Sequence, residues 1–382
     1  MNKFIETIQP SASAELMKKV QEMKANGEDI IGLAGGEPDF DTPDRIRLAA
    51  IEEICKGNTH YAVGTGLPEL RARIARKFRE ENSIDCDASQ IVVAPGGKYA
   101  IYLAIAALLN PGEKVMILDP SWVSYAPIVQ ACQGVPVHVG LTYDQDYQVT
   151  TEALEAAYSS DVKLLIINYP NNPTGCILSH QEAEVIKDFI LKHNLYLLSD
   201  EIYEKIIYDG QSFISPGSFP EIKDQVITVN GFSKAVAMTG WRLGYMCVPK
   251  ALLKNISTLY SHTITGTSPF LQKAAIIALD CTEEMEAMRK IYEERRNYFI
   301  SALNAIPGVS AKMPKGAFYA FVHFEKDHMN SFQMADYLLH HAKVVGVPGD
   351  AYGKGGDQCI RFSFANSIED LKEAVTRIAN IM

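Results

Sequence analysis

The chain has 382 residues, of which 47% are hydrophobic and 21% charged, and its 36 basic and 46 acidic side chains give a net charge of -10. This composition excludes a disordered or fibrous chain, and the length allows two or three domains. The acidic balance argues against general nucleic-acid binding, which needs a basic surface.

The first thirty residues predict an arm followed by one helix, Ala14–Ala25, which ends at Asn26-Gly27. No apolar stretch precedes the first charges, so we expect no secretory signal. The longest unbroken apolar run, Tyr99–Leu109, is far shorter than the roughly 20 residues that cross a bilayer. We therefore expect no membrane partner.

From residue 31 to residue 281, short apolar runs alternate with segments of helical spacing. Fully hydrophobic runs are typical of parallel strands covered on both faces, and their alternation with helices predicts a doubly wound α/β domain. The predicted strands are Ile91–Ala94, Lys114–Leu118, Leu164–Asn168, Leu195–Ser199, Val226–Asn230 and Gly244–Val248, with helices over Tyr99–Leu109 and Gln181–His193.

Residues 282–382 predict a second, smaller α/β domain. A long helix opens it and ends before Pro307-Gly308. Its predicted elements are helix Glu283–Ala305, strand Ala317–His323, helix Ser331–His341, strand Gln358–Phe364 and helix Ser367–Ile381. The sequence thus predicts an arm (1–30), a large domain (31–281) and a small domain (282–382).

The cysteines and histidines predict neither a disulfide framework nor a metal site. Seven cysteines are widely spaced and include no CxxC pair, which indicates buried thiols in a reducing, cytoplasmic setting. The nine histidines are dispersed and HExxH is absent.

Three common catalytic or nucleotide-binding motifs are also absent. The Gly97-Lys98 pair has Val92 where a Walker loop needs glycine, and Glu69 replaces the last glycine of a dinucleotide fingerprint that starts at Gly64. Ser233 lacks the GxSxG pattern of a hydrolase nucleophile. A metalloenzyme or a serine hydrolase is therefore not predicted.

Polar and aromatic side chains follow several predicted strands. In an open sheet of this kind, ligands bind beyond the carboxyl ends of the strands, so we expect these segments to converge on one site. They are residues 94–98, 119–122, 168–175, 200–203 and 231–234.

Lys234 is a candidate nucleophile, because it follows a predicted strand in an otherwise apolar context. Ser233 precedes it, and Arg242 lies eight residues later, just before the next strand. A cationic neighbour lowers the pKa of an amine, and arginine binds phosphate bidentately, so a Schiff-base lysine beside a phosphate clamp is one interpretation. A solvated loop charge is the other.

Asp200 ends the strand at 195–199, with Tyr203 three residues later. A carboxylate buried at a strand end needs a partner, and a pyridinium nitrogen would serve. A helix N-cap explains Asp200 equally well from the local sequence. The segment Asn171–Gly175 likewise reads as either a functional loop or simply a tight turn.

These motifs together resemble the class I pyridoxal-phosphate aminotransferases of fold type I. The resemblance is carried by Ser233-Lys234 with an arginine eight positions on, NNPTG at 171–175, SDEIYE at 199–204, GEPDF at 36–40 and an arginine on a C-terminal strand. It runs in the family's order from Gly32 to the C-terminal helix, and the prokaryotic aspartate aminotransferases look like the closest branch. It implies a seven-stranded sheet in the large domain and pyridoxal 5'-phosphate as cofactor.

The resemblance also implies roles for the residues that would contact the cofactor ring. Lys234 would form the Schiff base and then move a proton between the substrate α-carbon and the cofactor. Asp200 would keep the pyridine nitrogen protonated, and Asn172 and Tyr203 would hydrogen-bond the 3′ oxygen. Trp122 would stack on the ring, although core packing is the usual role of a lone tryptophan.

The cofactor phosphate, by the same resemblance, would be held by Ser233, Arg242 and the Gly96-Gly97-Lys98 turn at a helix N-terminus, where free N–H groups favour an anion. Tyr61 matches the family tyrosine that reaches the phosphate of the neighbouring subunit. That match implies a homodimer with shared active sites.

The substrate α-carboxylate would be bound by Arg361, on a strand whose alternation puts it opposite Ile360 and Phe362. A surface salt bridge is the alternative reading. Gly36 would let the backbone approach the same carboxylate, and Trp122 and Asn172 would also face the substrate.

By the same resemblance, one branch binds the distal carboxylate with an arginine of the partner chain, and residues 261–269 here contain none. Another branch uses a lysine in the Gly-Gly-Lys turn, which implies that role for Lys98. A solvated or phosphate-side lysine explains Lys98 equally well. Ser13 stands where the branch usually has threonine and keeps its hydroxyl.

The resemblance thus implies a transaminase acting on an amino acid and a 2-oxo acid, with aspartate and 2-oxoglutarate favoured. An aromatic or broad-specificity aminotransferase is the alternative, as is a β-lyase on the same fold.

Overall fold

The computed structural model describes residues 3–6, 8, 10, 12–62, 64–326 and 328–382. The strands are β1 (Ile31–Gly32), β2 (Ile91–Ala94), β3 (Lys114–Asp119), β4 (Val135–Gly140), β5 (Val162–Asn168), β6 (Tyr196–Asp200), β7 (Val226–Gly231), β8 (Gly244–Cys247), β9 (Val309–Ala311), β10 (Tyr319–Phe324), β11 (Val344–Val345), β12 (Val347–Pro348) and β13 (Cys359–Ser363).

The helices surround these strands. The α-helices are α1 (Lys3–Glu6), α2 (Ala12–Ala25), α3 (Asp44–Cys55), α4 (Pro68–Asn82), α5 (Gly97–Leu108), α6 (Tyr125–Ala131), α7 (Thr151–Ala157), α8 (His180–His193), α9 (Leu253–Thr263), α10 (Pro269–Ala278), α11 (Thr282–Asn304), α12 (Ser331–Tyr337) and α13 (Ile368–Ala379). Shorter 3₁₀ turns lie between them, and a π-helix spans Leu338–Ala342. No helix in the described ranges is both long and apolar enough to cross a bilayer.

The large sheet has the strand order β2-β8-β7-β6-β5-β3-β4. Its strands are parallel except β8, which runs antiparallel to β2 and β7. Side chains alternate across it: Leu164 and Ile166 pack with α5, while Leu165 and Ile167 pack with α8. Both faces are buried, as the fully hydrophobic strands required. The predicted α/β class with a mostly parallel seven-stranded sheet is confirmed.

Strand β4 was not predicted from the sequence. It is the edge strand and pairs only with β3 in the described sheet. It contains Pro136, and proline is tolerated at an edge because the N–H donor that it lacks is not needed by a second neighbouring strand. It is also partly exposed, unlike a strand in the middle of the sheet, since Val135 is 43% exposed. The predicted helix at 331–341 also differs, since its second half winds as a π-helix.

A four-stranded antiparallel sheet, β12-β13-β10-β9, is built from residues 309–363. Its register places Phe321 opposite Arg361 and Tyr319 opposite Ser363. The short strand β1 pairs in parallel with β11, so residues 31–32 contact the C-terminal part of the chain. The division at residues 30 and 281 stays a prediction.

The parallel strands bring distant residues together at one edge of the large sheet. Asp119, Asn168 and Asp200 end β3, β5 and β6, and Gly231 ends β7. Carboxyl ends of adjacent parallel strands lie side by side, so the loops that follow them share one cavity.

A buried ion pair supports the loop that follows β6. Lys77 of α4 bonds to Glu204, and the two side chains are 3% and 6% exposed. Lys77 Nζ also donates to Asn82 Oδ1 at 2.7 Å, and Asn82 Nδ2 donates to Glu204 Oε2 at 2.6 Å. This network ties the segment that carries Tyr203 to α4.

Replacing Lys77 with alanine should destabilise the fold, because Glu204 would stay buried without its cation. Such a loss costs about 3 kcal/mol or more in free energy of unfolding. Scanning calorimetry should show a Tm lower by about 5 °C or more. The control is Lys192→Ala, which breaks the surface pair with Glu155 and should cost less than about 1 kcal/mol. Equal effects of the two variants would contradict the assignment.

Candidate active site

A cavity of about 370 Å³ lies at the carboxyl edge of the large sheet, against β10 and β13 of the smaller one. Most of the residues predicted for the site meet there, although they come from segments spread over more than 320 positions of the chain. The predicted residues that line the cavity are Gly36, Gly97, Lys98, Trp122, Asn172, Asp200, Tyr203, Ser233, Lys234, Arg242 and Arg361.

Lys234 extends into the cavity from the loop after β7. Its Nζ donates to the carbonyl oxygen of Gly36 at 2.5 Å. Burial lowers the pKa of this amine to about 8, and the charges of Arg361 and Arg242 act in the same direction, whereas Glu37 opposes them. The amine is therefore partly neutral near physiological pH, as a nucleophile or proton carrier must be.

Asp200 is buried at the end of β6, where its two carboxylate oxygens have different partners. Oδ2 accepts a hydrogen bond from the Tyr125 hydroxyl at 2.7 Å, and Oδ1 accepts one from the Ile202 N–H at 3.3 Å. The second bond is a local turn contact, and Asp200 does not cap a helix, since none begins after β6 until the 3₁₀ turn Pro216–Ser218. Burial raises the pKa of Asp200 to about 6. A cationic ring nitrogen in the cavity would favour its ionised form.

The turn before α5 is shaped for a close approach of Arg242. Gly96 has φ +89°, and a β-carbon placed there would lie 2.6 Å from Arg242 Nη2, so the position requires glycine. Arg242 Nη1 donates to the carbonyl of Thr239 at 2.8 Å. With Gly97 at the start of α5 and Ser233 on the same cavity wall, the turn offers a helix N-terminus, an arginine and a hydroxyl to an anion.

Arg361 lines the cavity from β13 and is 3% exposed. Its Nη1 donates to Asn172 Oδ1 at 3.1 Å and its Nη2 to the carbonyl of Ala34 at 2.5 Å. Its buried Nε has no hydrogen-bond partner among the described residues. A buried donor without a partner is costly, so a ligand carboxylate that accepts from it would be favourable.

These groups fit pyridoxal phosphate with an amino acid beside it. The turn at 96–97 with Arg242 suits a phosphate, Asp200 suits a pyridine nitrogen, Lys234 supplies an amine, and Arg361 suits a carboxylate. No contact among them requires a metal, and the described residues contain no cluster of histidine, cysteine or carboxylate groups that could hold one.

Lys98 and Trp122 lie together on the cavity wall. Lys98 Nζ is 4.8 Å from the centroid of the Trp122 ring, a cation–π distance. Desolvation lowers the pKa of Lys98, and the charge of Arg242 lowers it further. Trp122 also packs edge-on against Tyr125 at 5.3 Å, so it contributes to the core as well as to the cavity.

One predicted site residue stands apart from this cavity, and the side chain of another is not described. Tyr61 is 88% exposed and lies in a separate surface hollow with residues 266–270. Ser13 lies in the first turn of α2, and its side chain is outside the described part of the structure. Met17, one turn further along α2, does line the cavity.

Sequence reasoning missed two tyrosines of the cavity, Tyr125 and Tyr319. Tyr125 could have been noticed, because it lies three residues after Trp122 in the segment that follows β3. Tyr319 begins β10 and reaches the cavity through the register of β10 with β13. A single sequence carries no signal for that register.

Known proteins are similar to this chain over nearly its whole length. A family model described as "Aminotransferase class I and II" matches residues 28–378. A probable aspartate/prephenate aminotransferase of Aquifex aeolicus is 38% identical over 97% of this chain and 95% of its own length. An aromatic-amino-acid aminotransferase of Thermococcus litoralis is 38% identical over 99% of this chain and 97% of its own length.

Among solved structures, the aspartate aminotransferase of Thermus thermophilus with maleate superimposes with a TM-score of 0.95. It is 35% identical, and the match covers 100% of this chain and 99% of that one. The likeness therefore extends over both sheets and the cavity between them.

The pKa of Lys234 predicts how the protein without cofactor captures pyridoxal phosphate. Only the neutral amine attacks an aldehyde, so the rate should rise with pH and level off just above about pH 8. Stopped-flow absorbance over pH 6–10.5 measures this rate, with Lys234→Ala as the control that forms no covalent product. A rate that keeps rising to pH 10 would show an unperturbed lysine and contradict the assignment.

Proposed function

This chain belongs to the class I and II aminotransferases, which depend on pyridoxal phosphate, and we propose that it transfers the amino group of L-aspartate to 2-oxoglutarate. The observation that carries the substrate choice is that the cavity contains two cations, Arg361 and Lys98, besides Arg242 and the Lys234 amine. Arg361 and Lys98 line it from different elements. Aspartate and 2-oxoglutarate each carry two carboxylates, which two such cations would bind.

The residues divide into those that hold the cofactor and those that act on the substrate. Ser233, Arg242 and the Gly97 N-terminus would hold the phosphate, and Asp200 would keep the pyridine nitrogen protonated. Asn172 and Tyr203 would hydrogen-bond the 3′ oxygen. When bound, the cofactor supplies an electron sink that makes the hydrogen on the substrate α-carbon acidic.

Lys234 is proposed to carry the proton. Its amine would remove a proton from the substrate α-carbon and deliver it to C4′ of the cofactor, so it must be neutral in one half of the cycle and protonated in the other. A pKa of about 8 makes both states accessible near neutral pH. Arg361 would orient the substrate by binding its α-carboxylate in the fork of the guanidinium.

Lys98 is proposed to bind the distal carboxylate. Its ammonium lies over the Trp122 ring, where a dicarboxylate would replace a cation–π contact with an ion pair. Desolvation lowers the pKa of Lys98, which indicates that its ammonium is incompletely hydrated. An ammonium in such surroundings is stabilised more by a bound anion than a fully exposed ammonium is.

Aromatic donors are the second candidate. The cavity also has an apolar side, formed by Trp122, Ile101 and Met17, that could accept an aromatic ring. The name of the Thermococcus litoralis relative supports this candidate, whereas that of the Thermus thermophilus structure supports aspartate. A β-lyase would use the same lysine, aspartate and arginine.

The oligomer is proposed to be a homodimer with shared active sites, working in the cytoplasm. Leu48, Ile51 and Ile54 are exposed along one face of α3, and Tyr61 is the most exposed of the large hydrophobic side chains described. A second copy that covers this face would place Tyr61 near a neighbouring phosphate site. Free thiols at all seven cysteines are compatible with a reducing compartment.

A panel of amino donors tests the proposed reaction, read in single turnovers as the absorbance change of the bound cofactor. Aspartate should react faster than phenylalanine or alanine. Lys98→Ala should lower kcat/KM for aspartate by about tenfold to a hundredfold, because a partly desolvated ion pair is lost, and should change alanine less than about threefold.

Three results would contradict parts of this proposal. Equal losses for aspartate and alanine would show that Lys98 does not bind the distal carboxylate. A wild-type preference for phenylalanine would favour the aromatic candidate. Pyruvate and ammonia released from a β-substituted amino acid, with no need for an oxo acid, would favour the β-lyase.

Tyr61→Phe tests the shared site. Loss of one hydroxyl to the neighbouring phosphate should raise the dissociation constant of pyridoxal phosphate by about fivefold to tenfold, while light scattering still gives the mass of a dimer. The control is Tyr298→Phe, on α11, which should bind the cofactor as the wild type does. Unchanged affinity in Tyr61→Phe, or a monomeric wild type, would argue against shared sites.

A further inference from the structure

Tyr319 joins three parts of the cavity that come from different elements. Its hydroxyl lies 2.7 Å from the hydroxyl of Tyr203, which belongs to the loop after β6. Its ring lies 4.5 Å from Cζ of Arg361 on β13. A β-carbon placed at Gly36 would lie 2.8 Å from the Tyr319 hydroxyl, so this loop also closes around it.

The packing leaves Tyr319 little freedom. The side chain is 1% exposed, and its ring meets that of Tyr203 nearly at right angles, with the ring centroids 5.7 Å apart. The backbone of Tyr319 is held in register with Ser363, two residues from Arg361 on the paired strand. Diagonal neighbours on one face of an antiparallel pair are within reach of an aromatic ring.

Counting protons determines the direction of the bond between the two tyrosines. A phenol has one proton to donate and can also accept. If Tyr203 gives its proton to the 3′ oxygen of the cofactor, as proposed above, the bond between the hydroxyls must be donated by Tyr319. Accepting that bond makes Tyr203 a stronger donor, because negative charge that develops on its oxygen is stabilised.

We infer that Tyr319 is a positioning residue, which donates its hydrogen bond to Tyr203 while its ring supports the guanidinium of Arg361. One side chain would then couple the cofactor side of the cavity to the substrate side. The first half of this inference rests on the proposed role of Tyr203, and the second half does not.

Other ionisable groups lie close to Tyr203 and Tyr319 and would influence their pKa values. Asp200 and Arg361 face Tyr203, and Lys234 Nζ lies 5.9 Å from its ring centroid. Tyr352 and Tyr292 lie near Tyr319 on other elements. Burial raises the pKa of Tyr203 and of Tyr319, so both are neutral at working pH and can act as hydrogen-bond donors.

Tyr319→Phe removes the hydroxyl and keeps the ring. A weaker donor at Tyr203 stabilises an anionic 3′ oxygen less, so the Lys234 nitrogen bound to the cofactor should hold its proton more tightly. Its pKa, read from visible absorbance against pH in the holoenzyme, should rise by about half a pH unit. Tyr203→Phe should raise it further, by about one pH unit.

The double variant and a matched control distinguish positioning from a general structural effect. If Tyr319 acts through Tyr203, Tyr203→Phe/Tyr319→Phe should show the shift of Tyr203→Phe alone. The control is Tyr352→Phe, whose buried hydroxyl has no partner among the described residues and whose ring lies 5.2 Å from Arg361 Cζ. It should leave the absorbance pKa unchanged.

Tyr319→Leu tests the support of Arg361, because it removes the ring as well. The dissociation constant of maleate, an unreactive dicarboxylate, should rise about fivefold in Tyr319→Leu and stay within about twofold of the wild type in Tyr319→Phe. Equal maleate affinity in all three proteins would overturn the role at Arg361.

The remaining outcomes decide the role at Tyr203. A shift in Tyr203→Phe with none in Tyr319→Phe would overturn the inference and leave the proposed function intact. No shift in either variant would overturn both the inference and the role of Tyr203. Circular dichroism in the far ultraviolet, with a thermal transition close to that of the wild type, establishes that each variant is folded.

Discussion

The cavity depends on one kind of interaction, in which buried cationic side chains donate hydrogen bonds to main-chain carbonyls. Lys234 donates to the carbonyl of Gly36, Arg361 to that of Ala34 and Arg242 to that of Thr239. A carbonyl carries no net charge, so a cation can leave it for a ligand without stranding a buried carboxylate, whose desolvation would be expensive. This arrangement is compatible with the two anionic ligands proposed for the site, a phosphate and a carboxylate.

The same group of cations contributes to the lowered pKa of the Lys234 amine. Lys234 loses hydration in the cavity, and the guanidinium groups of Arg361 and Arg242 repel its protonated form, while Glu37 and Asp200 offset part of that repulsion. The fold places these groups by bringing the end of β7 and the strand β13 to one edge of the large sheet. Charge and topology together lower the pKa of Lys234 to about 8.

Much of the fold could be predicted because fully hydrophobic strands and helical spacing are local signals. The strands around Leu164 and Val226 were found within two residues of their observed bounds. Strand β4 was missed because an exposed edge with proline has neither continuous hydrophobicity nor a clear two-residue period. Tyr319 was missed because its place in the cavity depends on pairing with β13, forty residues away, which no local pattern encodes.

Among the site residues, Lys234, Arg242 and Asp200 could be singled out because they follow strands and lie in short motifs. The sequence by itself determined the α/β class and the chemical types at the carboxyl edge of the sheet, since these depend on spacing along the chain. Tertiary structure alone decided which carbonyl holds each cation, that Tyr125 bonds Asp200, and that Tyr319 reaches both Tyr203 and Arg361. Those contacts join elements far apart in sequence, and their geometry is set only when the two sheets pack together.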